Sequence, residues 1–152
     1  MRKMGWIAAA FLGCLPLLPA QQKPVYQVQF EVRDSGAPAD QGPQRFTMRI
    51  DESRKGVFQA GQKVPGQDNL DVGAKIECAV HAAENGVAIE GSLEVSRVAG
   101  FVTVGGISEP IVQQKKVAFH KTVPLGTATA ISEDPKYQVQ ATVALLQAAQ
   151  LP

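Results

Sequence analysis

The sequence predicts an all-β fold, a single antiparallel β-sandwich or strongly curled sheet of about seven to eight strands, preceded by an N-terminal signal-peptide helix. Three observations carry this. From Leu70 to Arg97 two runs of alternating residues flank the turn signal Asn85-Gly86. Further short alternating runs recur along the chain between glycine and proline clusters. After the leader, no segment shows a sustained helical period with caps. A period of two places successive side chains on opposite faces, so each run has one apolar and one polar side.

The elements follow in order. Tyr26, Val28, Phe30 and Val32 alternate with Gln27, Gln29, Glu31 and Arg33 in a first strand, and Gly36, Pro38, Gly42 and Pro43 break the chain after it. Phe46, Met48 and Ile50 mark a second strand. Gly56 to Ala60 is a short third, followed by a loop through Pro65-Gly66. In the long hairpin, Leu70, Val72, Ala74, Ile76, Cys78 and Val80 face one way on the outgoing run, and Val87, Ile89, Leu93 and Val95 continue that phase on the return. Two registers satisfy the facing rule. One opposes Glu77 with Glu90 and the other opposes Lys75 with Glu94. The unlike pair is preferred, because opposed charges differ by ~0.2–1 kcal/mol according to sign. Ala99 to Pro110 interrupts the alternation and reads as an apolar, glycine-rich connection. Ile111 to Val123, Leu125 to Ile131 and Tyr137 to Leu145 complete the strands.

The chain has 152 residues, 45% of them hydrophobic, and a net charge of +1. That is enough for one core, and nothing in it forms a basic stripe or acidic tail that would point to nucleic acid or to an electrostatic membrane partner. Arg2 and Lys3 precede an apolar stretch from Trp6 to Leu18, and Leu18-Pro19-Ala20 resembles a cleavage site before Gln21. The stretch is shorter than the ~20 apolar residues of a membrane span. The expected organisation is therefore a signal peptide over 1–20 with cleavage between Ala20 and Gln21, a β-domain over 21–147 and a tail over 148–152. Removing the leader leaves 13 basic against 14 acidic side chains. Lipidation at Cys14, after Gly13, is the rival processing route. The expected location is the periplasm or cell envelope.

No catalytic constellation is visible. His81 and His120 are the only histidines, with no metal-ligand spacing around either. Glu90 and Glu94 share a face but lie ~13 Å apart along a strand, beyond the ~5–9.5 Å of glycosidase pairs. Cys78 falls on the apolar phase and reads as a small core residue. Asp68, Asn69 and Asp71 fit turn formation better than a calcium loop. Tyr26 and Tyr137 lie on apolar phases, and the sole tryptophan, Trp6, is in the leader. The expectation is a protein that is not an enzyme and takes no cofactor or metal. Its most function-bearing residues are Phe101, Val102, Val104 and Ile107, a candidate interaction loop within Ala99–Pro110 that either folds onto the core or meets a partner. Partners are expected to be protein, or a second copy, through edge strands or this loop, with membrane contact only through the signal segment or, in the rival route, a lipid on Cys14.

Several motifs occur in a telling order. Gly56-Val57-Phe58-Gln59-Ala60-Gly61-Gln62-Lys63-Val64-Pro65 gives a short strand, a glycine and a Val-Pro pair. Asn69-Leu70-Asp71-Val72-Gly73-Ala74-Lys75-Ile76 follows, then Asn85-Gly86-Val87 and Leu93-Glu94-Val95, then Glu109-Pro110-Ile111-Val112-Gln113-Gln114-Lys115-Lys116-Val117. From Phe46 to Ile131 this series resembles the C-terminal β-domain of bacterial secretins, the ring-forming outer-membrane pores of secretion and pilus machines. The glycine pair that ends the family's last strand is replaced by Ala130-Ile131-Ser132-Glu133, and Ala99–Pro110 stands where the family has long gate and lip segments. The resemblance implies export across the inner membrane of a two-membraned bacterium, and a secretin-like module without the pore. A minimal secretin-related subunit of an outer-membrane secretion or pilus complex is the alternative.

Overall fold

The structure, a computed structural model, describes residues 23–52, 54–64 and 71–146. The expected leader and its Ala20–Gln21 cleavage point, Cys14, the tail over 148–152, and Asp68 and Asn69 lie outside the described residues. Eight strands form: β1 (Val25–Asp34), β2 (Gln44–Asp51), β3 (Lys55–Lys63), β4 (Asp71–Ala83), β5 (Gly86–Val104), β6 (Ile107–Val123), β7 (Thr129–Ala130) and β8 (Tyr137–Leu146). They make two antiparallel four-stranded sheets, ordered β2-β1-β8-β7 and β3-β4-β5-β6, packed face to face as a β-sandwich.

The alternation read from sequence is the alternation observed. Along β1, Tyr26, Val28, Phe30 and Val32 are buried, and along β8 Tyr137, Val139, Ala141 and Val143 are buried. They face Ile76, Cys78 and Val80 of β4, Val87, Ile89 and Leu93 of β5, and Phe119 of β6. Phe30 meets Phe119 across the layers with ring centroids 5.5 Å apart, and Phe46 of β2 meets Phe58 of β3 at 5.8 Å. These tilted pairs add to the burial of the rings themselves. In the β4–β5 hairpin Lys75 opposes Glu94, the register favoured by charge. Gly73 sits where a Cβ would lie 2.1 Å from the Ala60 carbonyl oxygen, so β3 and β4 approach this closely only because the side chain is missing.

Two expectations are corrected. The strand expected from Leu125 to Ile131 contracts to Thr129–Ala130, with Leu125 making an isolated bridge to Val143. Pro124 lacks a donor and Gly126 takes a φ of 73°, so the segment instead covers the outer edge of β8 through Gly126 N–H to the Val143 carbonyl at 2.8 Å and Ile131 N–H to the Val139 carbonyl at 2.8 Å. Second, Ala99–Pro110 is not a connection between strands. β5 runs on to Val104, β6 begins at Ile107, and only Gly105-Gly106 turns the chain.

The sandwich has two distinct poles. Val25 pairs with Leu146 at one, where the Ala82 N–H also reaches Glu52 Oε1 at 2.9 Å close to the β4–β5 turn, which is Glu84-Asn85 with Gly86 already paired to Ala83. Asp34 pairs with Tyr137 at the other, and it is from this second pole that β5 and β6 continue outward. Among the described residues no helix is long and apolar enough to cross a membrane.

Candidate functional site

The β5–β6 ribbon leaves its sheet at a defined point. The β4–β5 ladder ends at Ala74 opposite Val95. One residue further, the Ser96 hydroxyl takes over from the backbone, accepting from the Gly73 N–H at 3.1 Å and donating to the Gly73 carbonyl at 3.4 Å. Beyond it, among the described residues, β5 and β6 pair only with each other, from Arg97 opposite Gln113 to Val104 opposite Ile107. The register shifts between Val98 and Gly100, so Ala99 is an extra residue on β5 and forms a bulge. Gly105 and Gly106 have φ of 58° and 83°, and this pair of positive values closes a type I′ turn matched to strand twist.

The pairing assigns each side chain of this arm to a face. Val102, Val104, Ile107 and Ile111 continue the side that carries Val95 and Lys115, while Val98, Phe101, Pro110 and Val112 continue the opposite side with Lys116. Both faces are thus apolar. Phe101 is 61% exposed, Val104 59% and Ile107 66%; Val102 and Ile111 are exposed as well. The four residues singled out from sequence are brought together on one ribbon. None of them folds back onto the core: the arm extends ~25 Å past the last β4 pairing, at ~3.3 Å per residue, and among the described residues no third strand or opposing layer packs on it. No charged residue occurs from Val98 to Ser108, and Glu109 is the first.

Sequence reasoning missed the root of the arm. Arg97 follows Val95 on the apolar phase of β5, and there its guanidinium reaches across the sandwich. Its Nη2 lies 3.6 Å from Asp34 Oδ2, donates to the Gly36 carbonyl at 2.8 Å and donates to Gln113 Oε1 at 3.0 Å. Asp34 Oδ1 in turn accepts the Gly36 N–H at 2.9 Å. A charged residue in an otherwise apolar phase was the available signal. Beside it Val32, Val95, Arg97, Gln113, Lys115 and Tyr137 line a cavity of about 290 Å³. Lys115 Nζ stands 5.8 Å from the centroid of the Tyr137 ring, a cation–π arrangement. The Tyr137 hydroxyl is buried without a hydrogen-bond partner, and burial, with Asp34 close by, pushes its pKa up to about 12.

The remaining candidates are dispersed. His81, Glu90 and His120 are exposed on the outer faces of β4, β5 and β6. Cys78 is fully buried, and burial followed by the charge of Glu90 pushes its thiol up to about 12, well away from nucleophilic character. Among the described residues no group of three or more His, Cys, Asp or Glu side chains is placed to hold a metal ion. Two surface carboxylates are held below the ordinary range by cations: Glu31 by hydrogen bonds from Arg33 and Arg45, and Glu77 by Lys55 and Lys75.

A scan against protein-family models and a search of curated proteins each return no match to this chain.

Proposed function

We propose that this chain is an exported, non-enzymatic interaction module of the cell envelope, secretin-like without the pore, and that the β5–β6 arm is its contact element. The supporting observation is where the apolar surface lies. Of eight exposed large hydrophobic side chains among the described residues, five (Phe101, Val102, Val104, Ile107 and Ile111) are on the arm. Exposed apolar surface concentrated in this way marks contact sites. The edges of the body are guarded differently. Arg45 and Arg49 lie on β2, Lys55 and Lys63 on β3, and Lys115, Lys116 and Lys121 on β6, and such charges discourage indiscriminate strand pairing. The arm is where that protection stops.

The alternative, a minimal subunit of an outer-membrane complex, draws on the same ribbon, whose two unpaired backbone edges suit pairing with neighbouring arms. Extraction separates the two: release by osmotic shock without detergent supports the module and rules out an integral pore. The proposal itself is tested with a photo-cross-linking residue at Val104, compared with one at Glu90 on the outer face of β5, in cells that make the protein. Adducts confined to the arm position, to protein or to lipid, are expected. Equal labelling, or none, at both positions overturns the reading.

A further inference from the structure

Resting on the arm as contact element, we infer that what it contacts is the interfacial zone of a lipid bilayer, entered by the hairpin tip. The first argument is geometric. A flat protein partner, or a second copy related by a two-fold axis, covers one side of a ribbon. Here Phe101 projects from one side and Val102, Val104 and Ile107 from the other, and all four are exposed. A medium that surrounds the tip satisfies both sides at once.

The second argument is charge. The eleven residues from Val98 to Ser108 carry none. Glu109, opposite Val102, stands ~10 Å from the apex of the turn at ~3.3 Å per residue. Interfacial elements bury their apolar side to ~5–10 Å. The carboxylate therefore marks the depth at which the tip meets the headgroups. Deeper entry is opposed by that charge and by the unpaired backbone groups along both ribbon edges, which have no partner in hydrocarbon. Behind Glu109, Lys115 and Lys116 leave the ribbon on opposite sides; Lys116 stands opposite Glu94 of β5, and among the described residues neither lysine has a carboxylate within 4.0 Å. They sit ~20 Å behind Glu109, about two and a half Debye lengths at physiological salt. At that distance salt largely screens them, so the apolar side chains hold the tip and the lysines add only a weak preference for anionic headgroups.

The test places a tryptophan at Val104 in the chain with Trp6→Phe, so that fluorescence reports the arm alone, with Glu90→Trp as the comparison site. Vesicles of phosphatidylethanolamine, with and without phosphatidylglycerol, are the probe. A blue shift is expected at position 104 and none at position 90. A Phe101→Ser/Ile107→Ser double variant, at positions already exposed to water, folds normally by circular dichroism and binds at least tenfold more weakly. Lys115→Gln/Lys116→Gln weakens binding to phosphatidylglycerol vesicles by no more than about threefold, an effect that salt erases. Glu109→Gln tightens binding to both vesicles. The inference is overturned by the absence of a shift with either vesicle, or by a shift at position 104 that follows protein concentration without lipid, which identifies a second copy as the occupant. In either case protein adducts at Val104 in the cross-linking experiment leave the arm as a contact element, so the two readings fail separately.

Discussion

Strands β5 and β6 pass through two environments, and their sequences change accordingly. Inside the sandwich, Val87, Ile89 and Leu93 face the core while Ala88, Glu90 and Ser92 face outward, and the buried set is essentially inaccessible. Beyond Ser96 the same two strands keep their ladder but lose the alternation, and Phe101, Val102 and Val104 are all exposed. The body is built by segregating polar from apolar side chains. The arm is built by pairing alone, from a bulge at Ala99 to a two-glycine turn. Backbone pairing thus sets the shape of both regions, whereas burial stabilises only one of them.

Cysteine reactivity gives the largest contrast. At pH 8 a thiol with a pKa of about 12 rather than 9.0 has on the order of a thousandfold less thiolate. Cys78 is expected to resist alkylation until the protein unfolds, while a cysteine introduced by Thr103→Cys in the arm reacts at the rate of a free thiol; mass spectrometry over a labelling time course reads both. The same shift carries a sign for stability. The unfolded thiol ionises first as pH rises above 9.0, so Cys78 lowers stability progressively from there toward its folded value. Denaturant melts between pH 8 and 11 check this in the wild type against Cys78→Ala.

Phe30→Ala removes a fully buried ring at the contact between the sheets and is expected to cost about 3–5 kcal/mol in chemical denaturation. Arg97→Ala tests the junction of the two regions. It removes the ties to Asp34, Gly36 and Gln113, with an expected loss of about 1–2 kcal/mol and faster amide exchange in the arm, read by hydrogen-exchange mass spectrometry. Glu94→Lys sets three lysines in a row across β4, β5 and β6, with Lys75 on one side and Lys116 on the other, and should lower stability by about 0.2–1 kcal/mol for each like pair. Phe101→Ser, although it removes an aromatic ring, is expected to change stability by less than about 0.5 kcal/mol. If Phe101→Ser destabilises as Phe30→Ala does, the arm is packed on something in the folded monomer and the contrast fails.

This division also explains what could be read before the structure. Alternation identified the body strands and the Lys75–Glu94 register, because a buried face imposes a period of two that a sequence displays. The arm has no buried face, so Phe101, Val102 and Val104 in near succession carried no period, and Gly105-Gly106 looked like a loop. The bulge at Ala99 further shifted the phase. Arg97 and Lys115 were visible as charged residues on apolar phases, yet their partners, Asp34 and Tyr137, come from the opposite sheet. Contacts between sheets depend on how the layers stack, which no local pattern encodes.

The pairing of Val25 with Leu146 has a mechanical meaning. The first and last strands are antiparallel neighbours whose outer ends meet at the pole remote from the arm. Tension applied through those two ends would open their shared ladder one hydrogen-bonded pair at a time, like a zipper, instead of loading many bonds together in shear. Such a body is a poor link in a taut chain and a good pedestal: held from below, it presents its projecting hairpin on the far side, out of reach of whatever holds it.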